Sequence, residues 1–327
     1  DGRDLRTGKG LRKGMVNMNE KIQNIKNEIG KVIKGKEEVI DTVLAAMLAE
    51  GHILLEDVPG VGKTTLALTL SRVLGLGYRR IQFTPDTVPS DITGFTMYDK
   101  ESGSFRYEKG AAFCNLLLAD EINRTSSKTQ SALLEVMEEK QVTVDGKTHS
   151  LPHPFFVIAT QNPEGGAGTQ RLPHAQLDRF LVKLSMGYPD AESEIAMLSE
   201  RQQENPLASI HAICSKEEIL SMQEAVRNIH ASEELLAYIT SLCRASRESA
   251  DIALGISPRG TLALLRMTKA SAFLSGRDYA MPEDVAKVFT RTCAHRIRLS
   301  AKARTEEKDE EAVLQMLFSQ VKIPGAI

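Results

Sequence analysis

The period of the apolar positions changes once along this chain. As far as about residue 188, short apolar runs alternate with helical stretches, and beyond it the 3.6-residue period holds. In the first part, Ile22, Ile25, Ile29 and Val32 fall on one face of a helix over 20–32. After Gly35 a second helix is predicted over 39–48, stopping before Gly51. Strands are predicted at 52–55, 79–83, 114–119, 155–160 and 181–184, with helices over 66–74 and 125–139 between them. The segment 84–94 is turn-rich and opens a helix poorly. Residues 95–98 and 105–107 pair as a small hairpin around Ser102-Gly103. Gln141 to Ser150 form another around Asp145-Gly146, a dipeptide that favours a type I′ turn. The later part reads as helices over 191–201, 216–229, 232–248, 257–273 and 281–296. Each has a cap or first-turn proline at its start: Asp190, Ser215, Ser232, Ser257-Pro258, Pro282. Strands alternating with helices predict an α/β fold with a parallel sheet, followed by a helical domain, with the boundary at Tyr188-Pro189-Asp190.

Candidate chemistry clusters at strand ends. Glu56-Asp57-Val58-Pro59-Gly60-Val61-Gly62-Lys63-Thr64-Thr65 lies between the first strand and a helix, the context of a phosphate-binding loop. Backbone N–H groups and the helix start favour an anion there. Lys63 would reach β/γ-phosphates, and the Thr64 hydroxyl would ligate magnesium. The usual pattern has glycine where this chain has Asp57, so the loop is either damaged or a variant whose Asp57 keeps φ below zero. Asp120 and Glu121 end the third strand, where open α/β sheets bind ligands. Asp120 suits a magnesium partner and Glu121 a polariser of attacking water. Asn162, at the end of the fourth strand, is an amide able to orient that water. Gly165, Gly166 and Gly168 follow as a glycine-rich loop. Arg259 opens a helix, where a cation opposes the dipole unless an anion is near; this points it towards phosphate. Chemistry alone assigns Arg179 no role.

Bulk composition narrows the class. The 327 residues are 42% hydrophobic and 26% charged with net charge -2, so no global basic field draws the chain to nucleic acid. No apolar run is long enough for a membrane span. Cys114, Cys214, Cys243 and Cys293 lie far apart with no Cys-x-x-Cys, as expected of reduced, buried thiols in a cytoplasmic protein. His149 and His153 are separated by Pro152 and do not read as a zinc pair. Residues 1–17, with Gly2, Gly8, Gly10 and Gly14 among Arg and Lys, read as a disordered extension.

Taken in order, these segments resemble the AAA+ ATPases, and within them the MoxR group of the helix-2-insert clade, over roughly residues 19–299. The resemblance rests on the stretch Leu55 to Thr64, on Thr84-Pro85-Asp86 through Asp91-Ile92-Thr93-Gly94, and on Leu118-Ala119-Asp120-Glu121-Ile122-Asn123-Arg124. Thr129 to Glu135, Ala159-Thr160-Gln161-Asn162-Pro163-Glu164, Leu177-Asp178-Arg179-Phe180 and Ser257-Pro258-Arg259 complete it. It implies a P-loop αβα sandwich over 18–188 and an all-helical lid over 189–327. It further implies a Mg2+-dependent ATPase, acting on an acid anhydride, with ATP and Mg2+ as cofactors. By resemblance Lys63 and Thr64 are the Walker A pair within a loop that includes Pro59, Gly60, Val61, Gly62 and Thr65. Asp120 and Glu121 are Walker B, and Asn162 is sensor 1. Arg179 is an arginine finger acting in trans, and Arg259 is sensor 2, reaching the same phosphates from the lid. Val32 and Ile33 would contact adenine, and the 141–150 hairpin would be the helix-2 insert. MoxR-like chains tolerate an acidic residue at the place of Asp57. A ring, expected to be hexameric, would remodel protein clients, expected to bear von Willebrand factor A domains. The alternatives are a nucleic-acid-associated motor or loader, which would carry a basic stripe or DNA-binding module, and a nucleotide-sensing scaffold lacking turnover.

Overall fold

The computed structural model describes residues 18–162, 172–201 and 206–324; the expected extension 1–17 and the glycine-rich loop lie outside them. Five strands form one parallel sheet: Ile53–Glu56, Tyr78–Gln82, Leu116–Asp120, Phe156–Gln161 and Val182–Leu184, here the first to fifth core strands. Their spatial order is second, third, fourth, first, fifth. Both faces are covered, so the central strands are apolar throughout and their side chains divide by parity. Leu54, Leu117, Ala119, Val157 and Ala159 pack towards the helix Ser127–Glu139. Ile53, Leu55, Leu116, Leu118, Phe156 and Ile158 face the helices 18–30, Glu37–Leu48 and Lys63–Val73. The helical half belongs to this second cluster, through residues such as Met222, Leu242, Leu264, Phe273 and Phe289.

The fifth strand ends at Leu184 and the next helix begins at Ala191, its first turn capped by Asp190 Oδ1 accepting the Ser193 N–H at 2.8 Å. The expected caps Ser215, Ser232 and Ser257 each accept the N–H three residues on. Four elements of this half stand outside the sequence expectation: the helices Pro206–Ser209, Ala301–Thr305 and Glu310–Gln320, and the small antiparallel pair Ile252–Leu254 with Arg298–Leu299. All four cysteines are free and buried.

Two corrections concern the crossover after the second core strand. The segment expected to open a helix poorly does form one, Pro89–Thr93, with Asp91 Oδ2 accepting the Val88 N–H at 2.9 Å. That helix runs directly into the hairpin Gly94–Asp99 and Ser104–Lys109. The hairpin inserted in that crossover, directly after its short helix, is therefore 94–109. The hairpin 141–150 comes one unit later, after the completed helix Ser127–Glu139, and is not that insert. Asp145 and Gly146 both take positive φ, as its tight turn requires. The two hairpins touch: Tyr107 stacks on His149 with ring centroids 4.0 Å apart, which also occupies a histidine not read as a metal ligand.

Candidate active site

The loop after the first core strand owes its shape to two glycines. Gly60 (φ 91°) and Gly62 (φ 98°) lie in the left-handed half of backbone space, and Gly62 is the N-cap of helix Lys63–Val73. Crowding is not the reason for glycine here. A Cβ would meet nothing within 4 Å at Gly60 and only Met186 Cε at 3.9 Å at Gly62. Lys63 is buried, with Nζ donating to the carbonyls of Asp57 at 2.7 Å and Val58 at 3.1 Å. Burial lowers its pKa, opposed by the negative charge of Asp57, Asp120 and Glu121. Thr64 and Thr65 follow in the first helical turn, while Pro59 and Gly60 are exposed at the mouth.

Beside the loop, Asp120 and Glu121 are held by different partners. The Thr160 hydroxyl donates to Asp120 Oδ1 at 2.6 Å and accepts the Glu121 N–H at 2.9 Å. Arg80 donates to Asp120 Oδ2 from Nε at 3.2 Å and Nη2 at 2.6 Å. Glu121 sits in the left-handed region (φ 57°), an unusual conformation for a residue with a Cβ, and of the kind that collects at functional sites. Its Oε1 accepts Asn162 Nδ2 at 3.2 Å; its Oε2 accepts Gln82 Nε2 at 2.8 Å and lies 3.2 Å from Arg124 Nε. Arg80 also donates to Gln82 Oε1, fixing which end of that amide faces Glu121. Arg80 and Gln82 had no role in the sequence reading. Their signal was faint: two polar residues two apart on a strand share a face, and Gln82 is in register with Asp120.

Among the described residues no group of three or more His, Cys, Asp or Glu could hold a metal. Thr64 and Asp120 offer hard oxygen donors, which suits Mg2+ completed by phosphate oxygens and water rather than by a protein cage. Val32 follows helix 18–30 half-exposed, whereas Ile33 is buried in the core.

The two arginines stand elsewhere. Arg179 precedes the fifth strand, and its Nη1 lies 3.3 Å from Glu138 Oε2; Arg259 Nη2 lies 2.5 Å from Glu138 Oε1. Glu138 ends a helix of about 20 Å that starts beside Asp120 and Glu121. The cleft around it is lined by Gly51 and His52, which enter the first core strand at the end opposite the phosphate loop. Ser257 donates to Asp178 Oδ2 at 2.9 Å and Arg296 pairs with Asp178, so the start of Arg259's helix is fastened to the residue before Arg179. Arg259 therefore stands away from the phosphate loop of its own subunit. The anion that its helix N-terminus called for is the Glu138 carboxylate, a residue that gave no sequence signal.

A five-stranded parallel sheet with a phosphate loop, strand-end carboxylates and a packed helical lid defines an ATPase of the AAA class. The model of the "ATPase family associated with various cellular activities (AAA)" matches residues 52–182, and the AAA lid domain matches 244–317. Within that class the chain belongs to the MoxR family. It is 39% identical to "Chaperone MoxR1" of Mycobacterium tuberculosis over 91% of this chain and 81% of that one. It is 46% identical to the uncharacterized protein YeaC of Bacillus subtilis, over 90% of this chain and 92% of YeaC. A crystal structure of a protein from Cytophaga hutchinsonii, assigned as an ATPase, superposes with a TM-score of 0.90 at 38% identity, covering 98% and 99% of the two chains.

Proposed function

We propose that this chain hydrolyses ATP with Mg2+ at sites shared between neighbouring subunits of a ring, and spends the conformational change on remodelling protein clients. The observation that carries the reading is the division of the site. Lys63, Thr64, Asp120, Glu121 and Asn162 stand at one end of the sheet, and Arg179 and Arg259 stand together at the other. One subunit holds two half-sites that cannot meet within itself. A head-to-tail neighbour brings them together, and a rotation that closes generates a ring; six subunits is the expectation.

In the composite site Lys63 and the loop N–H groups hold the phosphates, and Val32 and Ile33 border the base. Thr64 and Asp120 would hold Mg2+, which would supply positive charge against the phosphates. Glu121 accepts a proton from the attacking water, while Asn162 fixes the carboxylate's orientation. Arg179 and Arg259, released from Glu138, stabilise charge on the transferring group from the neighbouring subunit. Gln82 and Arg124 occupy Glu121 Oε2, so that oxygen must exchange partners before it can act on water. Clients with von Willebrand factor A domains follow from the family resemblance. The exposed Phe95, Met97, Tyr98 and Phe105 on the 94–109 hairpin offer an apolar surface suited to a polypeptide. No described helix is long and apolar enough to cross a membrane; a cytoplasmic site of action is the reading we adopt, supported by four free, buried cysteines.

The test is the ATPase rate per subunit against protein concentration. The rate should climb with concentration, and Glu121→Gln or Arg179→Ala should each lower it by about a hundredfold or more. Mixing the two variants should restore part of the activity, because one supplies intact arginines and the other an intact Glu121. A rate flat with concentration and indifferent to Arg179 would sink the shared-site reading.

A further inference from the structure

Asp57 stands where phosphate loops usually carry glycine, yet it does not adopt a positive φ, so its backbone makes no demand for one. The carboxylate bonds outside the loop and is buried. Three donors converge on it: the Ser185 hydroxyl at 2.6 Å and the Gly187 N–H at 3.1 Å on Oδ1, and the Met186 N–H at 2.6 Å on Oδ2. All three belong to the short segment that leaves the fifth core strand and leads into the helical half. A buried carboxylate satisfied by two consecutive backbone N–H groups and a hydroxyl is a strong, directional fixture.

The same residue touches the phosphate-binding ammonium, because the Asp57 carbonyl accepts Lys63 Nζ at 2.7 Å. Asp57 therefore has one hand on Lys63 and the other on the linker. That linker is also fixed further along. Lys36 Nζ donates to the Tyr188 carbonyl at 2.7 Å, and Gly35 packs so closely that a Cβ there would lie 2.4 Å from Ser193 Oγ. A displacement at 185–187 thus has a defined place to go, into the start of helix Ala191–Arg201.

We propose that Asp57 is a positioning residue that couples the ammonium of Lys63 to the linker 185–187, so that the helical half senses nucleotide in the loop through this one carboxylate. The inference rests on the reading of Lys63 as a phosphate ligand. A phosphate that draws Lys63 Nζ removes the ammonium from the Asp57 carbonyl. The Asp57 peptide then moves, and its carboxylate carries Met186 and Gly187 with it.

Amide hydrogen exchange at Met186 and Gly187 tests this in the full chain, with and without ADP and Mg2+, alongside binding of a fluorescent ADP analogue. In the wild type, ADP should change exchange at both amides by about fivefold or more. Asp57→Asn should still bind ADP while that response falls to nearly nothing. Ser185→Ala, which deletes one donor and leaves the loop untouched, should reduce it. A purely structural role for Asp57 would raise exchange equally in both states and leave the response intact. A wild-type-sized response in both variants overturns the coupling, as does bound ADP with no response in the wild type. If the wild type binds no ADP, the nucleotide reading falls and this inference falls with it.

Discussion

Glu138 holds Arg179 and Arg259 on its two oxygens, and on the proposed shared-site reading each arginine must leave it to meet a neighbour's nucleotide. The carboxylate is 40% exposed, so each pair contributes only about 0.5–1 kcal/mol. Glu138→Gln should therefore lower the protein concentration giving half-maximal ATPase rate by roughly five- to thirtyfold, without changing the rate at saturation. An unchanged midpoint in the same titration would show that these contacts do not compete with assembly. At this scale the sequence was partly legible. Residue types pointed to side chains that the fold does bring together: a lysine behind glycines, two carboxylates at a strand end, an amide on the next strand. What they could not announce was company, because Arg259 and Glu138 lie 121 positions apart and nothing in a linear pattern relates them. Looking for an anion beside a cation at a helix start was sound in principle; in the folded subunit that anion is Glu138.

Elements were most legible where their determinants are local. A serine whose hydroxyl accepts from the N–H three residues on is a signal contained in four positions, and Ser215, Ser232 and Ser257 all act so. Asp284 is a longer-range case in the same style. It accepts the Met281 N–H at the start of its own helix, two Arg277 bonds at 2.8 and 2.6 Å, and the Ser271 hydroxyl from the preceding helix. With no exposed surface on its side chain, removing it strands the Arg277 guanidinium and two further donors. Asp284→Ala should cost about 3 kcal/mol, read as a lowered urea midpoint, whereas Lys302→Ala on an exposed pair should be close to neutral. The helix Pro89–Thr93 was missed because one turn gives no periodicity to detect. The neighbouring hairpin was recognised as a hairpin but not as the insert, since its identity depends on which crossover it interrupts.

The sheet and the helical half share one apolar cluster, so the molecule should respond to pH as a unit. Two buried imidazoles sit at the seams. His52 Nδ1 accepts the Val157 N–H at 3.0 Å, which leaves Nε2 to donate to the Met137 carbonyl at 2.9 Å; the neutral ring is fully used. Burial depresses its pKa to about 4. His295 donates from Nε2 to the Phe180 carbonyl, and burial beside Arg296 likewise holds it well below the ordinary histidine value. With folded pKa values below unfolded ones, the unfolded chain binds more protons as pH falls through 6.5. Stability should be flat above that pH and decline towards pH 4, His52 alone accounting for about 3 kcal/mol. Denaturant unfolding from pH 7.5 to 4.5 reads this directly, and a flat profile would contradict the burial of both rings. The parallel sheet and helical lid were legible in advance because a period of two giving way to one of 3.6 is written along the whole chain. How the halves press together was not, since that seam is drawn by residues from both.

The distance between the two half-sites has an arithmetical consequence. On the proposed shared-site reading, a subunit that lends its arginines in one direction and borrows them from the other completes nothing alone. An open row of n such subunits completes n − 1 sites, leaving one donor end and one acceptor end idle. Closure adds a single further site, but it also removes both ends, so that every subunit then stands in the same relation to its neighbours. The closing contact therefore changes the standing of the two end subunits at once, while those between them keep the neighbours they already had.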